Sequence, residues 1–242
     1  MLVARALGVF LLSLAASVNA DDSSPALPNF TALYTVHNLT LRTLNIGSFQ
    51  ARLTMVGKDR FHFETHSRPA GFMAWFYKDR IDEDSRWTLH AANIRPLSYT
   101  YNRRGGSKDR LVELTFDWQR GLVENKVDGD RWRMPVPEGA LDKLVVQVAM
   151  MLDLARGKRS MQYAIADGGK LKTYRFKVLG NESLETPAGR FETVKIERLR
   201  ENNKRSTYLW CAPALHNLPV RVDQREEDDS QFSMLLSRYT EQ

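Results

Sequence analysis

Over most of the chain, apolar and polar residues alternate in short runs divided by turn residues, the period-two pattern of half-buried β-strands. Residues 30–36 and 46–56 form the first two runs, the second closing at Gly57-Lys58-Asp59. In 60–66 the alternation is clean: Phe61 and Phe63 share one face, and His62, Glu64 and His66 share the other. Residues 97–103 and 111–117 flank Arg104-Gly105-Gly106-Ser107, a hairpin signal because paired glycines accept positive φ. Further runs occupy 122–127 and 131–134, then 161–166 and 171–179 on either side of Asp167-Gly168-Gly169. Gly180-Asn181 reads as another turn, and runs at 191–199, 206–211, 219–224 and 232–239 finish the chain.

One segment departs from this rhythm. Leu141, Leu144, Val145, Val148, Met151, Leu152 and Ala155 recur every three or four residues, which predicts a helix over about 141–156. Pro137 precedes it and Gly157 stands at its stop. Val146, Ala149 and Met150 widen the apolar face, so the helix should be covered by a sheet. The predicted fold is therefore mostly β: a single antiparallel meander of roughly a dozen strands. A sheet that wide curls into a closed or partly open barrel, with one buried or mouth-covering apolar helix. Residues 30–240 form a single domain, with no linker or fixed repeat inside it.

The N-terminus reads differently. Residues 1–5 carry one positive charge, 6–16 are apolar, and Val18-Asn19-Ala20 offers small residues at cleavage spacing before Asp21 and Asp22. Residues 1–20 therefore read as a secretory signal peptide, followed by a disordered lead-in at 21–29. The apolar stretch is too short to span a bilayer, and no other run approaches that length, so the mature protein is expected to be periplasmic and not transmembrane. The net charge is +6, with cations scattered along the strands, and export argues against a nucleic-acid partner. Cys211, the single cysteine, cannot form an internal disulfide and sits in an apolar stretch that predicts burial.

Candidate chemistry is sparse. The chain has no Gly-x-Ser-x-Gly elbow, no His-Glu-x-x-His and no phosphate-binding glycine loop. His62, Glu64 and His66 on one strand face could offer metal ligands, although a five-residue strand span separates the two histidines widely. Cys211 and His216 suggest a thiol nucleophile, but Pro213 lies between them and no orienting group is evident. Residues 69–77 gather Phe72, Trp75, Phe76 and Tyr77, either a core strand or a patch that meets lipid or a partner. No cofactor is expected.

Several segments carry a resemblance. These are Tyr101-Asn102-Arg103-Arg104-Gly105-Gly106 with Glu113-Leu114-Thr115-Phe116-Asp117-Trp118, the 141–157 helix, Thr186-Pro187-Ala188-Gly189-Arg190-Phe191-Glu192-Thr193-Val194, and Trp210 leading to Leu218-Pro219-Val220-Arg221-Val222. Together they resemble a family of exported proteobacterial proteins known only as a domain of unknown function, over residues 30–239. The resemblance implies an envelope location and a β-rich fold, and it supplies no mechanism. The leading expectation is a non-catalytic periplasmic protein that binds a lipid or other apolar small molecule in the concavity of the sheet. Phe72, Trp75, Phe76, Trp87, Leu144, Val148 and Met151 would line it. The alternative is an adaptor docking an envelope protein through a sheet edge or the 69–77 stretch. An envelope hydrolase has least behind it, since no nucleophile–base pair is visible.

Overall fold

A computed structural model describes residues 27–40, 44–70, 74, 78–90, 93–106, 108–200 and 205–242. The segment read as a signal peptide, most of the lead-in, and Phe72, Trp75 and Phe76 lie outside these residues. Fifteen strands follow in chain order. They are β1 (Phe30–Asn38), β2 (Leu44–Gly57), β3 (Arg60–Pro69), β4 (Arg80–His90), β5 (Asn93–Arg104), β6 (Arg110–Asp117), β7 (Leu122–Val127) and β8 (Asp130–Pro135). After β9 (Leu141–Asp142) and the helix α1 (Val146–Ala155) come β10 (Ser160–Asp167), β11 (Lys170–Thr186), β12 (Gly189–Leu199), β13 (Ser206–Ala212), β14 (Leu218–Arg225) and β15 (Gln231–Glu241).

All fifteen belong to one sheet, in the order β8-β7-β6-β5-β4-β3-β2-β1-β15-β14-β13-β12-β11-β10-β9. The meander is present, and the terminal strands join in its middle: β1 pairs antiparallel with β15 from Phe30 opposite Glu241 to Asn38 opposite Phe232. What stays open is the seam between β8 and β9, which are consecutive in the chain. The barrel is thus of the partly open kind. Among the described residues only β9 and β10 pair in parallel, with Leu141 opposite Ile165 and Asp142 opposite Ala166.

The core occupies one face of this sheet. Phe30, Ala32, Ala51, Leu53, Phe63, Trp87, Tyr99, Leu114 and Val123 are buried at alternate positions of β1 to β7, and Ile165, Ile196 and Val220 come from the other arm. The helix adds Val146, Val148, Met150, Met151 and Leu152 to the same cluster. A helix apolar on so many sides is stable here because the sheet wraps it.

Three boundaries differ from the sequence pattern. The helix begins at Val146 rather than Leu141, because the Asp142 carboxylate accepts the N–H groups of Leu144 and Val145, each at 2.8 Å, and so organises a turn. That turn leaves Leu141 and Asp142 extended against β10. Gly180 is a bulge inside β11, not the end of a strand, with the register shifting between Val178 and Gly180. Strand β4 has no counterpart in the apolar pattern. Its inward residues include Glu83 and Ser85, so the alternation that betrays other strands is missing.

Candidate functional site

The inside of the curled sheet has two unlike halves. At the upper end, where β2 turns into β3 and β6 into β7, the chain after β8 crosses the opening. Val136 donates its N–H to the Gly121 carbonyl at 2.9 Å, and Arg95 pairs with Glu138 at 2.6 Å. Helix α1 is fastened beneath it by Asn217, whose Nδ2 donates to the Met151 carbonyl at 3.3 Å. Trp87, Leu144, Val148 and Met151, four of the residues expected to line a ligand, are all buried here. Trp87 lies flat on Phe61 with ring centroids 4.2 Å apart. These four side chains pack against one another's neighbours in a continuous core.

Toward the lower end the inner face turns polar. Ser85 donates to Asp142 Oδ2 at 2.6 Å, which leaves the buried Asp142 carboxylate with three donors. Burial nevertheless pushes its acid up to about 6, with the nearby Glu83 adding to the shift. Tyr99 donates to Glu83 Oε2 at 2.6 Å, and burial followed by that carboxylate holds the phenol well above its usual range. Lys143 reaches Glu83 at 3.5 Å and stands over the Tyr101 ring at 4.6 Å. Where the two arms of the sheet face each other, Tyr99, Tyr101, Arg103, Arg110, Lys143, Asp167 and Lys172 line a crevice of about 340 Å³. At Asp167, burial is outweighed by the hydrogen bond from Lys172, so its carboxyl lies below the ordinary range.

Further along the same lower rim, Val36, Ile46, Pro69 and Phe232 form an apolar notch of about 260 Å³ with Ser67, Arg68 and Asp79. Arg103 donates to Asp79 Oδ2 at 2.7 Å beside it, and that bond holds the guanidinium protonated even more firmly than usual, raising its pKa. Outside the lip, Arg68, Lys78, Arg80 and Arg104 surround Asp82 in a depression of about 660 Å³. Burial would raise the Asp82 carboxyl, but hydrogen bonds from His66 and Arg68 outweigh it and hold it low.

The proposed ligand set on β3 faces outward, as its alternation required, and divides. His62 contacts Asp84, while His66 Nδ1 lies 2.6 Å from Asp82. Among the described residues, His62, Glu64 and Asp84 bring ligand atoms within 4.8 Å of one another, so Asp84 stands where His66 was expected. Arg52 lies 3.3 Å from Glu64 and Arg86 lies 3.7 Å from Asp84, so these carboxylates already have cationic partners. Cys211 is fully buried and desolvation pushes its thiol far up, the opposite of nucleophile activation. His216 turns to Glu241 at 3.6 Å. Sequence reasoning missed Glu83, Ser85, Tyr99, Asp142 and Lys143. The one available signal was the acidic and polar run of β4, which has no apolar partner rhythm.

Residues 33–237 match the model of the family described as a protein of unknown function, DUF3108, and the chain belongs to that family. No curated protein matches the sequence. A solved structure of similar fold is a β-barrel-like protein of the domain of unknown function DUF1849 from Brucella abortus. It is 8% identical with a TM-score of 0.58, over 89% of this chain and 98% of that one. A protein from Bacteroides fragilis described as exported and of YmcC-like fold aligns over 89% of this chain and 98% of its own. It is 10% identical, with a TM-score of 0.39. No described helix is long and apolar enough to cross a membrane.

Proposed function

We propose that this DUF3108 protein is an exported, non-catalytic binding protein of the bacterial cell envelope, taking a lipid-like ligand at the open lower mouth of its curled sheet. Export rests on the charged, apolar and small-residue sequence of residues 1–20. The observation that carries the binding reading is the contrast within the concavity. The upper half is filled by α1 and the aromatic residues of the sheet, whereas the lower mouth keeps the notch of Val36, Ile46, Pro69 and Phe232. Apolar lining with a few convergent polar groups, here Ser67, Arg68 and Asp79, is the usual composition of a small-molecule pocket. The ligand's apolar part therefore enters from the rim and does not reach Trp87, Leu144, Val148 or Met151, which serve the core.

Docking through a sheet edge has less support. Of the two edge strands, β9 is only two residues long and buried, and β8 carries Asp130, Arg131, Arg133 and Pro135, residues that oppose the addition of a strand.

The test is native mass spectrometry of protein prepared gently from a periplasmic extract, with a thermal-shift titration of a neutral monoacylglycerol. A bound species and a rise in melting temperature that Phe232→Asp abolishes are expected. Protein that is empty in every preparation and does not respond to the monoacylglycerol would remove this reading.

A further inference from the structure

The lower lip carries an arrangement that costs the fold stability unless something compensates it. Arg80 on β4 lies directly opposite Arg104 on β5. On the other side Ser67 is opposite Ile81, so Arg68 of β3 continues the same row. Like charges directly across neighbouring strands repel. The row has one shared carboxylate, Asp82, which already accepts from His66 and Arg68 and lies 3.7 Å from Arg104. Lys78 lines the same depression, and neither it nor Arg80 has an acidic partner among the described residues.

The turn after β5 is shaped to hold these cations together. Gly105 has a φ of +85°, and a Cβ there would lie 2.5 Å from the Lys78 carbonyl oxygen. A Cβ on Gly106 would strike the Asp79 carboxylate at 1.5 Å. The paired glycines thus let the chain entering β4 pack against the turn, which puts Lys78 beside Arg104. Asp109 secures the turn by accepting the Gly105 N–H at 3.0 Å.

We propose that Arg68, Lys78, Arg80 and Arg104 form a binding site for a phosphoryl oxyanion, the head group of an anionic lipid or a free phosphate ester. Guanidinium forks match phosphate oxygens in pairs, and a lysine supplies a compact charge beside them. The depression adjoins the apolar notch, with which it shares Arg68 and Pro69. The inference deepens the lipid-like reading by naming the ligand's head, and its own measurement can fail without that reading failing.

The experiment compares the protein with the Arg80→Gln/Arg104→Gln variant, using vesicles of phosphatidylcholine alone, vesicles doped with phosphatidylglycerol, and pyrophosphate as a soluble competitor. The protein should bind the doped vesicles and not the neutral ones, and added salt should weaken the binding. The variant should lose at least about tenfold in affinity, the scale of one charged hydrogen bond. Its melting temperature should stay level or rise as the repulsion is relieved, and its response to neutral monoacylglycerol should persist. Displacement by pyrophosphate identifies the phosphoryl group itself as sufficient; binding to vesicles that resists pyrophosphate assigns the site to a lipid surface. Equal binding of doped vesicles by protein and variant, or no binding of either probe, overturns the proposal. Loss of the monoacylglycerol response alone would instead strike the notch.

Discussion

The upper and lower halves of the sheet's interior are built from the same strands, yet they solve different problems. Inward positions near the upper end are Phe61, Phe63, Trp87, Leu114, Phe116 and Val123, all buried and joined by α1. Further along β4, β5 and β6 the inward positions become Glu83 and Ser85, then Tyr99, Tyr101, Arg103 and Arg110, the last four lining an open crevice. Each strand therefore contributes apolar surface at one end and polar groups at the other. Stability resides in the first set, and the proposed ligand site lies past the second, at the rim notch and the row of cations beside it.

The largest effects should come from the packed half. Trp87→Ala removes a fully buried indole stacked on Phe61, and a loss of about 3–5 kcal/mol is expected by equilibrium urea unfolding. Val148→Asp should prevent folding outright, since the side chain is fully buried among apolar neighbours that cannot solvate a carboxylate. If either variant unfolds at the same urea concentration as the parent, the upper half is not the stabilising region.

Asp142 lies between the two halves and is the next test. Its acid is raised in the fold, so the folded protein holds the proton more tightly than the unfolded chain. The contribution is therefore fully present below the unfolded value of 3.8 and is lost as pH rises through about 6. Asp142→Asn can still accept from the Leu144 and Val145 N–H groups and should flatten this dependence, raising stability at neutral pH by an amount on the order of 1–3 kcal/mol. Unfolding curves collected between acid and neutral pH for both proteins decide it. Identical slopes would mean that the carboxyl is not strained by burial.

Changes at the lower mouth should be milder. Arg103→Gln breaks the half-exposed pair with Asp79 and should cost no more than about 1 kcal/mol in the same unfolding assay. A loss as large as that of Trp87→Ala would place the mouth within the stabilising core. Smallest of all, Arg131→Thr with Arg133→Thr on β8 should change stability by about 0.5 kcal/mol or less. The same pair of changes should promote self-association in light scattering, because the charged edge no longer discourages strand addition.

How far this contrast could be read in advance follows from the residues themselves. The hairpin at Arg104-Gly105-Gly106, the turn at Asp167-Gly168-Gly169, the buried face of Phe61 and Phe63, and a single apolar helix ending before Gly157 were all visible in the alternation. Strand β4 was not, because hydrophobic periodicity detects a strand only where its inner face is apolar, and the inner face of β4 meets the polar seam. The early residues of the expected helix were also misread. Leu141 is apolar and buried, but whether it starts a helix or ends a strand depends on Asp142 taking two N–H groups and on β10 lying alongside.

By itself, then, the amino-acid sequence settled a mostly β chain around one greasy helix, since the period of the apolar pattern is a local property written into each segment. The tertiary structure decided where the barrel stays open and which cations gather at its lip. Arg68, Arg80 and Arg104 are far apart in the chain and meet only through strand register, which depends on long-range pairing that local patterns do not encode.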